Sequence, residues 1–209
     1  MRQQDRSELD EAIVACYRLG DGVRERERMW WLAEELSFAD LLERVGQARM
    51  ADGKRHPHQR RLPQRVLDAC SAGLRAAERD IRAAPRFHHL ITIVDSIFAP
   101  IRGAGELAVY DAADRLRHRL GLESENLVYL HAGARIGARR LAGGRLANDD
   151  GWSILHSQLP SGLQVLSTHE AEDVLCIFKD ELFGSPVAVR ARWARTMGSP
   201  CADGPRSAC

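Results

Sequence analysis

The chain has 209 residues, 44% of them hydrophobic, which is enough to bury one good core and short for two full domains. Its formal net charge of +1 excludes a polycation, so affinity for nucleic acid has to come from local basic patches. No stretch approaches a membrane span, and no signal peptide precedes Ser7. The five cysteines, Cys16, Cys70, Cys176, Cys201 and Cys209, are widely spaced without a CxxC pair, so a cytoplasmic compartment is expected.

In chain order the apolar spacing is helical almost throughout. Ser7 caps a first helix that ends at Gly20, a second run covers about 23–36, and Ser37 with Asp40 opens a third that reaches about residue 50. From Pro63 the positions Val66, Cys70, Leu74, Ala77 and Ile81 repeat at i, i+4 and predict a helix with one buried stripe, stopped by Pro85. Arg86–Phe98 and Glu106–Leu120 follow as two more helices, the second closed by Gly121. Another is predicted over Leu127–Leu141, where Ala132, Gly133, Ala134, Gly137 and Ala138 call for close approach by a second backbone or a ligand. Ser167 and Glu170 form a capping box before Ala171–Leu182. After Gly184 a basic segment, Arg190–Arg195, leads into residues 198–209, whose composition predicts a disordered tail. No alternating strand and no internal repeat is evident. The expected fold is all-α, with a single helical domain over 1–197.

The stretch Ile101-Arg102-Gly103-Ala104-Gly105-Glu106-Leu107-Ala108-Val109-Tyr110-Asp111 carries the most chemistry. Two glycines one residue apart allow a tight turn and leave backbone N–H groups at the start of a helix, where the helix dipole favours an anion such as a nucleic-acid phosphate. A second basic element, Lys54-Arg55-His56-Pro57-His58-Gln59-Arg60-Arg61, places four fixed positive charges within eight residues. Lys54, Arg55, Arg60 and Arg61, with Arg102, Gly103 and Gly105, are the expected DNA contacts.

The segment around Gly103 and Gly105 resembles the helix-hairpin-helix motif, and the helical chain around it resembles the helix-hairpin-helix DNA glycosylases. The resemblance implies a DNA-binding enzyme with helices before the hairpin and a catalytic segment about twenty residues after it. In that superfamily an aspartate precedes a histidine at the next helix start. Here the matching stretch is Val128-Tyr129-Leu130-His131, which keeps His131 and has Tyr129 at the aspartate position. Leu107 stands where bifunctional members carry a lysine, which removes the Schiff-base route.

A substitute carboxylate is expected in the second arm of the hairpin. Asp111 and Asp114 share a helix face, and Arg115 lies four residues beyond Asp111, the spacing of a solvated ion pair. Cleaving an N-glycosidic bond requires a carboxylate facing an oxocarbenium-like sugar and a pocket for the flipped base. Asp111 and His131 are therefore the candidate catalytic residues, with Tyr110, Tyr129 and Arg135 lining the base pocket. No metal is expected, because neither His56/His58 nor His88/His89 joins a cysteine or carboxylate at a familiar zinc spacing, and no cofactor motif is present.

These readings converge on a monofunctional DNA N-glycosylase that excises a modified or damaged base, in repair or in defence against phage, with duplex DNA as its partner. The alternatives are a non-enzymatic DNA- or RNA-binding module, which the missing aspartate favours, and an all-α protein-interaction domain, which the near-zero charge favours.

Overall fold

The computed structural model describes residues 3–33, 35–124, 126–142 and 152–197. It is mostly helical: α1 (Gln3–Arg18), α2 (Asp21–Leu32), α3 (Phe38–Gly46), α4 (Gln64–Ala76), α5 (Glu78–Arg82), α6 (Phe87–Phe98), α7 (Glu106–Leu120), α8 (Ala132–Leu141), α9 (Thr168–Ile177) and α10 (Pro186–Met197), with one small sheet of β1 (Leu127–Tyr129) and β2 (Ser153–Leu155). The expected tail, residues 198–209, lies outside the described residues. Among the described residues no helix is long and apolar enough to cross a membrane. The chain divides into two compact units, Met1–Val23 with Asn126–Cys209, and Arg24–Glu125.

In the first of these, the terminal unit, α8 packs on α9, α1 on α10, and β1 on α9. Leu9, Ile13, Val128, Val174, Leu175 and Leu182 are among its fully buried residues. The small residues of α8 are explained by this packing. A Cβ on Gly137 would sit 2.1 Å from the carbonyl oxygen of Leu175, so α8 and α9 approach backbone to backbone, and Ala134 and Ala138 share the buried face. No ligand is needed to account for them.

One expectation is corrected in this unit and one segment is placed. The predicted helix over Leu127–Leu141 begins only at Ala132, because Leu127–Tyr129 pairs antiparallel with Ser153–Leu155 in the register Leu127↔Leu155, Val128↔Ile154, Tyr129↔Ser153. A Leu-Val-Tyr triplet suits a strand, but three residues are too few to show alternation. The segment Arg190–Arg195 lies within helix α10, which Ser185 and Pro186 begin: the Ser185 hydroxyl accepts from Ala188 N–H at 3.2 Å, and proline takes the first helical position. Val189 and Trp193, one turn apart, are buried, with the Trp193 ring 5.3 Å from Phe178. The capping box forms as predicted, Ser167 and Glu170 each bonding the other's backbone N–H, although α9 stops at Ile177.

In the second, the central unit, α3 packs on α4 and α7, α4 on α6, and α6 on α7. Ser37 caps α3 by accepting from Asp40 N–H at 3.1 Å. The apolar stripe from Pro63 is buried at Val66, Cys70, Leu74 and Ile81, with the helix broken at Ala77 into α4 and α5. Gly46 ends α3 where a Cβ would lie 2.4 Å from the Ser71 Cα, so α3 and α4 touch through their backbones. Gly121 closes α7 in the left-handed region at φ 64°, as its glycine predicts.

Candidate functional site

The hairpin arms are α6 and α7, joined by residues 99–105. The turn is fixed by Ala104 N–H donating to Ile101 O at 2.9 Å and by Gly103 at φ 106°, a region that disfavours any side chain. A Cβ at Gly103 would also touch Val66 Cγ2 at 3.4 Å, so the turn rests beside the first turn of α4. Gly105 differs. It is the N-cap of α7 with ordinary extended backbone, and a Cβ there would meet nothing within 4 Å. Neither strain nor packing calls for glycine at 105. No side chain caps α7, and Arg102 is exposed beside the turn.

The basic loop is folded tightly before α4. Met50 N–H bonds Lys54 O and His56 N–H bonds Ala48 O, a short antiparallel return around Gly53 at φ 77°. Gln59 N–H then bonds His56 O and Leu62 N–H bonds Gln59 O, each at 3.0 Å, closing successive turns through the proline-bounded run. Lys54, Arg60, Arg61 and Arg65 are exposed. Lys54 lies 3.1 Å from Asp52, whereas Arg55 is half-buried and donates to Leu62 O at 3.0 Å and to the Gln64 side chain.

The turns bring His56, His58 and Gln59 onto Asp111 in the second turn of α7. Oδ2 of Asp111 lies 2.9 Å from His58 Nδ1, accepts from Gln59 Nε2 at 2.6 Å, and is 3.4 Å from Arg115 Nη2, which also donates to Gln59 Oε1 at 3.1 Å. Asp111 is 8% exposed and Arg115 5%, so the i, i+4 pair expected at the surface is buried. Burial opposes ionisation of Asp111, yet the His58 hydrogen bond and the Arg115 charge outweigh it and hold the carboxyl well below the usual carboxylate range. Asp114, predicted on the same face, pairs instead with Arg117 at 2.6 Å.

His56 completes the cluster, its Nδ1 3.9 Å from Asp111 Oδ2 and its Nε2 3.7 Å from Glu27 Oε1. Burial first, and then the charge of Arg115, push this imidazole down from 6.5 to about 3, against the pull of Asp111. The unfolded chain takes up a proton near pH 6.5 while the folded chain does not, so this contribution to stability is full above pH 6.5 and falls as pH drops towards 3. Each pH unit in that window removes up to about 1.4 kcal/mol. Urea midpoints at pH 7 and pH 5 check this on metal-free protein. An equal acid loss in His56→Ala would place the sensitivity elsewhere.

The other predicted site residues are divided between the units. Tyr110 is half-buried on α7 in the central unit, edge-on to Phe87 with ring centroids 6.4 Å apart. His131, Tyr129 and Arg135 belong to the terminal unit. His131 is buried before α8 with its Nε2 against the carboxylate of Glu172. Tyr129 is half-buried in β1, and Arg135 donates to Leu130 O at 3.0 Å with its guanidinium 5.3 Å from the Trp152 ring centroid.

Sequence reasoning did not join His56, His58, Gln59 and Glu27 to Asp111. The signal was the His-Pro-His spacing, but its carboxylate lies 53 residues from His58 and only the packed loop shows it. The chain has no significant match among protein-family models, curated proteins or solved structures.

Proposed function

We propose that the central unit docks on the backbone of duplex DNA through the turn that opens α7, and that the protein is a cytoplasmic DNA N-glycosylase acting through Asp111. The observation that carries the reading is the hairpin itself: two packed arms, a left-handed Gly103, and an uncapped α7 whose N-terminal glycine leaves open space above the backbone. A turn of this kind at an uncapped helix start offers N–H groups and dipole to a phosphate. The run from Lys54 to Arg65 ends beside it, with five cationic side chains and no acidic one. Exposed Arg60, Arg61, Arg65 and Arg102 supply counter-charge that the whole molecule lacks.

Asp111 lies five residues into α7, about 8 Å along the axis from the docking point. Its carboxylate is held ionised by His58 and Arg115 and oriented by Gln59, the state needed to face a cationic sugar as the C1′–N bond breaks and water adds to C1′, the leaving base carrying the proton away. Leu107 in place of a lysine makes the reaction monofunctional.

The test exposes uracil-containing, alkylated and phage-derived hypermodified DNA to the protein, then treats each with alkali. The proposal expects alkali-labile breaks in at least one of these substrates, and breaks confined to hypermodified DNA indicate defence against phage. Breaks in uracil or alkylated DNA instead indicate repair.

The non-enzymatic DNA- or RNA-binding module is the second reading, and one observation favours it: the Asp111 charge is already met by Arg115 in a buried network. Intact binding with no breaks in any substrate would select it.

A further inference from the structure

The geometry points to a divalent transition-metal site, suited to zinc, formed by Nδ1 of His56, Nδ1 of His58 and Oδ2 of Asp111. The donor atoms all lie within 4.8 Å of one another. Zinc bound at about 2.0–2.1 Å in a tetrahedron holds its ligand atoms about 3.4 Å apart. The two distances to Asp111 Oδ2, 2.9 Å from His58 and 3.9 Å from His56, bracket that value, so shifts of about half an ångström bring each imidazole to ligand spacing from the carboxylate.

The surroundings match what a metal site requires of its outer partners. A ligating imidazole directs its other nitrogen at a carboxylate, and His56 Nε2 faces Glu27 Oε1 at 3.7 Å. His56 Nδ1 accepts from the backbone N–H of His58 at 3.3 Å, so this nitrogen carries a lone pair, which the ion would take over from that long hydrogen bond. A ligating carboxylate is itself hydrogen-bonded, and Gln59 donates to Asp111 Oδ2 at 2.6 Å while Arg115 steadies Gln59 from behind. Arg115 also repels a cation, but the carboxylates of Asp111 and Glu27 outnumber it at the cluster. With three protein ligands, the fourth tetrahedral position falls to water, the arrangement of catalytic rather than structural zinc.

The site shares Asp111 with the base-excision reading, and zinc uptake is measured without turnover, so failure of the one is distinguishable from failure of the other. The experiment is calorimetric titration of the chelator-treated full chain with zinc chloride, with circular dichroism confirming that each variant is folded. The expected result is one zinc per chain, lost or weakened more than about tenfold in His56→Ala and in His58→Ala. Glu27→Gln, which touches no ligand atom of the ion, is expected to weaken binding about tenfold through His56. The double change His88→Ala/His89→Ala, at exposed histidines on α6, leaves it intact. No zinc uptake by the folded chain, or uptake that survives both His56→Ala and His58→Ala, would overturn the assignment and leave the cluster a hydrogen-bond network that pins the loop to α7.

Discussion

Replacing Asp111 with alanine is expected to cost about 3–5 kcal/mol of stability, the usual result of removing one member of a buried ion pair. Arg115 would keep Gln59 Oε1 and the Trp31 ring, 5.3 Å from its guanidinium, but its charge would lose its ion-pair partner at a position 5% exposed. His58 and Gln59 would also lose the acceptor that ties the loop to α7. Asp111→Asn preserves shape and one acceptor, so it should fold with a smaller loss while abolishing turnover in the alkali assay. Urea denaturation of the three proteins measures the first effect. An Asp111→Ala midpoint equal to wild type would show that Arg115 is adequately solvated.

Gly137→Ala is expected to destabilise the terminal unit by about 1–3 kcal/mol, even though alanine is the better helix former by up to about 1 kcal/mol. The added methyl would lie 2.1 Å from a backbone carbonyl oxygen, so α8 and α9 must move apart. The contrasting change, Gly105→Ala, meets open space and an ordinary backbone conformation, and should shift the midpoint by less than about 0.5 kcal/mol. Thermal or urea unfolding of both variants distinguishes them. Equal behaviour would mean that the α8–α9 interface yields freely.

Most local signals were legible where the responsible residues are neighbours in sequence; the exception is Ser7, which lies inside α1 and donates to Glu11 instead of capping the helix. Ser37 with Asp40, Ser167 with Glu170, and Gly121 each cap a helix as their spacing predicts. Ser185-Pro186 carried the same kind of signal for α10, and the polar, arginine-rich face around it obscured the Val189–Trp193 stripe. β1 was not legible because its partner is Ser153–Leu155, and a three-residue strand has no periodicity of its own.

The candidate site divides along the same line. Asp111 stood out by its position after the hairpin, and its pairing with Arg115 follows from helix spacing. That the pair is buried under His56, His58 and Gln59 depends on how residues 48–62 fold back onto α7. Gly103 and Gly105 look equivalent in sequence, and only backbone geometry separates the strained position from the open one.

Docking of the hairpin on DNA is tested most directly by fluorescence anisotropy of a labelled duplex, titrated at several salt concentrations with wild type, Gly105→Leu and the triple variant Arg60→Ala/Arg61→Ala/Arg102→Ala. Wild-type affinity should fall linearly with salt on logarithmic axes, and the triple variant should lower the slope by about 2–3, close to one for each phosphate no longer neutralised by an arginine. Gly105→Leu should weaken binding across all sequences without unfolding the chain, because it fills the open space above the start of α7. Affinity that is independent of salt, or unchanged in both folded variants, would contradict the account.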